Sequence, residues 1–318
     1  MNRDIRVLVT SISRKVPLLK AVKNAFHFFG NNSLIFGADR DNCCIGQYFV
    51  DEFWHMPKLE DLTQSAVLEY CKNHAINVII PTRDAELQFW SENEHFFLEH
   101  EIHLMVSSKH SIKNCLDKQY FFELLDQHHI KTPKTSSDIA DIASETFVVK
   151  TRVGAGSIGI GLNLTKELAI SHAKNLKNPI FQPFIKGDEY TVDLYIDKRS
   201  NIHGICPRKR ILVVNGESQI TETVQNKQLE DLCRDAAKLL ELRGHVLFQV
   251  IQEKESKSYQ IIECNARFGG ASTLSVAAGL DSFSWFFHEA LNETLPEFKR
   301  IPETIRLIRH AEDTFISL

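Results

Sequence analysis

The first hundred residues alternate short, continuous apolar runs with stretches whose apolar positions recur at helical spacing. Residues 5–9 (IRVLV) read as a strand. Pro17 then opens a helix carrying Leu18, Val22, Ala25, Phe26 and Phe29 on one face and ending at Gly30-Asn31, since proline suits a first helical turn and glycine a helix end. Strands are predicted again at residues 34–36, 78–80 and 102–106, with helices at 60–74 and 85–95 between them. Continuous apolar strands separated by helices predict a parallel sheet covered on both faces, an α/β domain over residues 1–107.

The pattern then changes. Asp117 is placed to cap a helix that begins at Lys118, presents Phe121, Phe122, Leu124 and Leu125, and ends before Pro133. Residues 146–150 (TFVVK) predict a strand, 154–159 a glycine-rich loop and 160–164 a second alternating run, after which Thr165 caps a helix to about residue 177. From Pro179 onward the segments FQPFI, EYTVDLYID, NIHGICPRKRILVV, HVLFQVIQ and SYQIIECN are strand-like, with one long helix at 227–242. The chain is therefore expected to be α/β followed by α+β, with further units at 108–180 and 181–318.

Bulk properties narrow the chemistry. A chain of 318 residues, 43% hydrophobic and 25% charged, has the composition of a globular protein. A net charge of -4 without long blocks of one sign offers no footprint for nucleic acid or membrane, so small molecules are the expected partners. The N-terminal apolar run is too short for a signal segment, which predicts a cytoplasmic protein. Seven cysteines, an odd count without a C-x-x-C pair, predict reduced thiols, and fourteen histidines form no H-E-x-x-H zinc pattern.

The loop G-A-G-S-I-G at 154–159 matches G-x-G-x-x-G after a strand, the pattern that opens a helix onto a dinucleotide pyrophosphate. Here an alternating run follows instead of a helix, so the loop reads as a connection between antiparallel strands. Bare backbone N–H groups and the Ser157 hydroxyl then suit a mobile cover over a triphosphate, although an ordinary glycine hairpin has the same signature. Lys150 and Lys118, beside the loop, would hold phosphates as point charges. Further on, residues 244–265 read as a hairpin turning near Ser256, which sets Gln249 opposite Glu263 and brings Asn265 onto the same face. Three oxygen-bearing side chains beside a phosphate site suit Mg²⁺, and Arg267 would add a positive fork. Arg208 and Arg210, expected just after a strand ending at Pro207, are candidates for a substrate carboxylate.

With these residues in view, the chain resembles the ATP-grasp superfamily, particularly its carbamoyl phosphate synthetase large chain-like and small carboxylate–amine ligase branch. The motifs are VLVTSISRKVPLLKA with VIIPTRDAEL, LDKQYFFELLDQHHIKTPKT, FVVKTRVGAGSIGIG, FQPFIKGDEYTVDLY and IIECNARFGGAS, in that order. The resemblance implies an N-terminal Rossmann-like, parallel-sheet domain before an ATP-grasp fold whose residues 108–180 form a small lid. It implies ATP bound by Lys118, Lys150 and the loop with Gly154, Gly156, Ser157 and Gly159. Gln182, Phe184 and Ile185 would surround the adenine and Glu189 the ribose. Gln249, Glu263 and Asn265 would hold Mg²⁺, which Mn²⁺ can replace, with Arg267 near the reacting phosphoryl group. The implied activity is ADP-forming coupling of a small carboxylic acid to an amine through an acyl phosphate, in a protein whose N-terminal domain offers a homodimer face. Gln182 stands where many relatives carry an acid, and Gln249 where many carry Asp or Glu. Two other readings remain, a non-catalytic nucleotide-binding or regulatory protein and an NAD(P)-dependent oxidoreductase.

Overall fold

The computed structural model describes residues 4–154 and 159–316. Five parallel strands form the N-terminal sheet: β1 (Arg6–Thr10), β2 (Leu34–Asp39), β3 (Glu52–His55), β4 (Val78–Ile80) and β5 (His103–Leu104), in the order β3-β2-β1-β4-β5. The order reverses between β1 and β4, the place where open α/β sheets build sites beyond their strand ends. β3 carries little alternation and was not legible in the sequence. The helix expected at 85–95 is two, Asp84–Glu92 and Glu94–Leu98, divided at Asn93. The helix from Val16 ends at Ala25 and leaves a single 3-10 turn, Phe26–Phe28, before Gly30.

A small antiparallel sheet follows, β6 (Phe147–Thr151), β7 (Gly161–Leu164) and β8 (Pro179–Pro183), ordered β7-β6-β8. The third sheet is antiparallel throughout: β9 (Gly187–Ile196), β10 (Ile202–Val214), β11 (Glu217–Thr223), β12 (Gly244–Glu253), β13 (Tyr259–Asn265) and β14 (Arg306–Ile308), ordered β13-β12-β9-β10-β11-β14. Polar caps fix the helices between strands. Asp117 accepts from the amides of Gln119 and Tyr120 at 3.2 and 3.1 Å, and Thr165 and Asn226 cap Lys166–Ala173 and Lys227–Leu239. Gln64–Asn73, capped by Thr63 and four residues shorter at its start than the helix expected at 60–74, Lys109–Leu116, capped by Ser108, and two helices beyond residue 270, Ser272–Ala277 and Ser282–Ala290, are the remaining α-helices among the described residues.

Two apolar clusters weld the N-terminal sheet to the large one. Leu8, Phe36 and Ile79 join Leu194, Phe248 and Cys264 in the first, while Val7, Ile35 and Ile80 join Tyr195, Phe283 and Phe287 in the second. The small sheet has its own core of Ile142, Phe147, Val149, Ala169 and Phe181. The helix Lys118–Gln127 sends Phe121 and Leu125 into the first large cluster, so Lys118 at its start is rooted there.

Candidate active site

Strand alternation sets the chemistry on one face of the large sheet. Gln249 lies opposite Glu263 on one side and Thr191 on the other, while Leu247 lies between Asn265 and Asp193. A one-residue register shift between Gln249 and Val250 creates these pairings, since nearer the turn Val250 faces Ile261, Ile251 faces Gln260 and Gln252 faces Tyr259. On the reverse face Phe248, Val192 and Cys264 are core, so the Cys264 thiol points away from the site. Arg208 and Arg210 lie within β10 rather than after it, because the alternation of that strand continues through the charge run to Val214. Both border a cavity of about 220 Å³, with Gln249, Glu263, Asn265 and Arg267. A space this size lies below the ~300–1,000 Å³ of a whole-ligand pocket.

The two arginines are held differently. Arg210 is saturated: its Nη1 donates to Glu189 Oε2 at 2.9 Å and Gln249 Oε1 at 3.2 Å, its Nη2 to Gly216 O at 2.6 Å and its Nε to Ser218 Oγ at 3.0 Å. Arg208, 3% exposed, donates only Nε, to Asp193 Oδ2 at 2.7 Å, and no described residue accepts from its Nη groups. Asp193 also receives Ser275 Oγ at 2.8 Å and Ser272 Oγ at 2.5 Å, with His245 Nε2 at 3.2 Å. Burial alone would raise the Asp193 carboxyl, but Arg208, His245 and Ser272 outweigh it and hold it well below the usual carboxylate range. Burial lowers the His245 imidazole below its ordinary range, against the opposing pull of Asp193. An anionic Asp193 under Arg208 therefore leaves a guanidinium fork facing the cavity. None of this floor was anticipated from sequence; the period-two run Glu189, Thr191, Asp193 was the available signal.

Lys150 lies within β6, one residue before its end at Thr151, with 6% exposure, and burial lowers its ammonium to about 8 against the pull of Glu263. Lys118 is lowered in the same way, by burial first, against Glu263, Asp84 and Asp117. Its Nζ donates to Gly154 O at 2.6 Å, while Asp117 receives Arg152 Nη2 at 2.8 Å. Glu263 thus acts on both lysines and on Arg210, yet accepts no hydrogen bond from a described residue. Gly154 and Gly159 take φ of +156° and +70°, backbone that other residues rarely adopt, and the strand β7 follows the loop. A dinucleotide site needs a helix N-terminus there, so the NAD(P) reading loses its structural basis. Gly156 and Ser157 lie outside the described residues.

At the other end the Gln182 side chain is turned inward, donating Nε2 to Thr135 Oγ1 at 2.7 Å, and the Phe184 amide donates to Thr146 O at 2.9 Å. Gln182, Phe184, Ile185 and Glu189 do not border the 220 Å³ cavity, and Glu189 reaches it only through Arg210. Arg267 does border it, donating to Asn265 Oδ1 at 3.2 Å and Phe268 O at 2.8 Å and pairing through Nη2 with Asp84 of the N-terminal domain. Asp84 sits in the VIIPTRDAEL motif, where no role was expected of it.

The donor set is all oxygen: one carboxylate, Glu263, and the amide oxygens of Gln249 and Asn265. Hard oxygens in small number beside a phosphate-sized space suit Mg²⁺, which keeps water and phosphate in its remaining positions. No cluster of three His, Cys, Asp or Glu suited to a metal occurs among the described residues. No helix among them is long and apolar enough to cross a membrane.

Residues 115–271 match the ATP-grasp domain family, and residues 7–105 match the PylC-like N-terminal domain family. No curated protein matches in sequence. Among solved structures, Rhizobium etli pyruvate carboxylase aligns with 92% of this chain at a TM-score of 0.71 and 12% identity, and the chain spans only 29% of that protein. The biotin carboxylase domain of Hydrogenobacter thermophilus 2-oxoglutarate carboxylase, solved with MgADP and bicarbonate, aligns with 96% of this chain and 74% of its own, at a TM-score of 0.75 and 16% identity. The L-amino acid ligase of Bacillus licheniformis aligns with 96% of this chain and 80% of its own, at a TM-score of 0.71 and 15% identity. At these identities the likeness is one of fold.

Proposed function

The chain is an ATP-grasp protein with a PylC-like N-terminal domain, and we propose that it is an ADP-forming ligase that activates a small carboxylic acid as an acyl phosphate and couples it to an amine. The observation that carries this reading is the set of Arg208, Gln249, Glu263, Asn265 and Arg267 around one cavity, with the Nη groups of Arg208 accepted by no described residue. Lys118 and Lys150 do not border that cavity and are linked to it by the electrostatic pull of Glu263. In this reading Lys118, Lys150 and the loop from Gly154 to Gly159 bind the triphosphate, while Gln182, Phe184, Ile185 and Glu189 flank the nucleoside. Gln249, Glu263 and Asn265 would hold Mg²⁺, which supplies charge neutralisation at the phosphates. Structural neighbours solved with MgADP or named as ligases support the assignment.

Chemistry then follows from position. The Nη groups of Arg208 anchor the acid so that one carboxylate oxygen lies in line with the γ-phosphorus. A P–O bond forms to that oxygen as the bond to ADP breaks, and Arg267 with Lys150 neutralises charge spread over the transferring group. The amine attacks the acyl carbon, a C–N bond forms, phosphate leaves with the acyl oxygen, and the amine loses its proton to solvent. No enzyme nucleophile is required, and Cys264, the cysteine nearest the motifs, faces the core. A screen of amino acids, sugar acids and small peptides, alone and with amines, should give ADP release that depends on the acid. AMP with pyrophosphate, or ATP turnover indifferent to every acid, would contradict the proposal; nucleotide binding without turnover would favour a regulatory role.

A further inference from the structure

The carboxyl edge of the parallel sheet carries a buried polar framework that the proposed reaction does not use. Glu86 Oε1 accepts from the amides of Thr82 and Arg83 at 2.9 and 3.0 Å, and its Oε2 accepts from Thr10 Oγ1 at 2.7 Å and Trp90 Nε1 at 3.2 Å. Lys15 Nζ donates to Ser11 O, Thr82 O and Thr82 Oγ1 at 2.8, 3.0 and 2.7 Å. Glu86 is 3% exposed and Thr82 2%. Each member is satisfied by the others, so the cluster is not a vacant binding site. Its geometric effect is to tie the strand-to-helix turn that follows β4 to the end of β1, and the first helical residue after that turn is Asp84.

Asp84 is 6% exposed and reaches out of its own domain to pair with Arg267 Nη2, while the same nitrogen donates to Asn265 Oδ1 at 3.2 Å. Arg267 Nε is buried with no partner among the described residues, so its own donors do not lock the guanidinium plane from that side. Lys118 and Lys15 both feel the Asp84 charge. A long, rotamer-rich side chain at a reacting centre needs a second group to hold it in one orientation. We propose that Asp84 is the positioning residue of Arg267, through which the N-terminal domain completes the phosphoryl-transfer site, and that the Lys15–Thr82–Glu86 framework serves to hold Asp84. The inference rests on Arg267 being a phosphoryl-site group.

The test is a side-chain ¹⁵N–¹H spectrum of the full-length protein, which needs no turnover. The Arg267 Nε–H signal is assigned by its loss in Arg267→Lys. In Asp84→Asn, with the remaining spectrum and melting temperature retained, this signal is expected to move or broaden beyond detection, and in Asp84→Glu to persist; Asp84→Ser serves if Asp84→Asn does not fold. A signal unchanged in position and width in the folded variant overturns the proposal. Mg·AMPPNP and Mg·ADP added to the wild type judge the underlying reading separately, since a response to the first and not the second reports the γ-phosphoryl group. In turnover, Asp84→Asn is expected to lower kcat about tenfold or more with KM for ATP within about twofold, and to cost nothing further when added to Arg267→Lys. Losses that multiply in the double variant would overturn it as well.

Discussion

Lys118 and Lys150 both act on Glu263, but they are anchored in differently built parts of the molecule. Lys118 begins a helix whose Phe121 and Leu125 belong to the apolar cluster shared by the N-terminal and large sheets. Lys150 lies in a strand of a three-stranded unit that rests on five buried apolar residues of its own. The small unit meets Lys118's helix through polar links: the Asp117–Arg152 ion pair, the donation from Lys118 N to Arg152 O at 3.0 Å, and Lys118 Nζ on Gly154 O. Cooperative stability grows with buried apolar contact, so the small unit should open locally while the large body stays folded. In the proposed reading one lysine, with the metal-suited oxygens and the arginines, would form a fixed half of the site, and the other would arrive on a body able to move. Such a division lets nucleotide enter before the charges close on it.

The comparison breaks most severely at Glu263, the one carboxylate in the oxygen set of the fixed half. Glu263→Ala is expected to lower turnover by at least 10²–10³-fold with the melting temperature kept, and Gln249→Ala to do less, because an amide oxygen carries no net charge. Steady-state ADP release checks both, and an active Glu263→Ala protein would remove the metal assignment.

The two cores separate the halves next. Phe248→Ala and Phe147→Ala each remove a buried ring, worth about 3–5 kcal/mol. The first should lower the global melting transition. The second should instead raise hydrogen exchange in β6, β7 and β8 and leave the main transition nearly in place. Equal loss in the main transition would mean that the small unit folds as one with the rest.

The smallest effect is one of pH. Lys150 must be protonated to hold phosphate, and burial has brought it to about 8 from 10.5, so affinity for Mg·AMPPNP should fall as pH rises through 8, approaching tenfold per unit above it. Lys150→Arg stays charged and should flatten that limb. Stability runs the other way: the unfolded chain binds more protons between about 8 and 10.5, so the destabilisation from burying Lys150 is relieved as pH rises across that window. Lys15 is lowered to the same range but is present in both proteins, so the difference between them belongs to Lys150. Calorimetric titrations at pH 7, 8 and 9 decide it, and parallel slopes would refute the role.

What the sequence disclosed follows the range of each signal. The Gln249–Glu263 pair was expected from a turn centred on Ser256, but next to the turn Ile251 faces Gln260 and Gln252 faces Tyr259, and an unforeseen register shift between Gln249 and Val250 restores the expected pair. The parallel sheet followed from its apolar runs, whereas β3, with no buried run, and β14, which only joins β11 from far along the chain, did not. Arg208 was found as a charge and misplaced relative to its strand. Its partner Asp193, the serines beneath it and the Asp84–Arg267 pair were missed, since they join residues 15 to 183 positions apart and no local periodicity records such a contact. Polar groups brought together by tertiary packing are legible only once the packing is known.

The account turns on phosphoryl transfer to a substrate carboxylate. Its most direct test is to label both carboxylate oxygens of the accepted acid with ¹⁸O and follow the label by mass spectrometry through a full turnover with the amine. The account predicts ADP, with one ¹⁸O in the released phosphate for every amide formed. Phosphate free of label, or AMP and pyrophosphate in place of ADP, would contradict it.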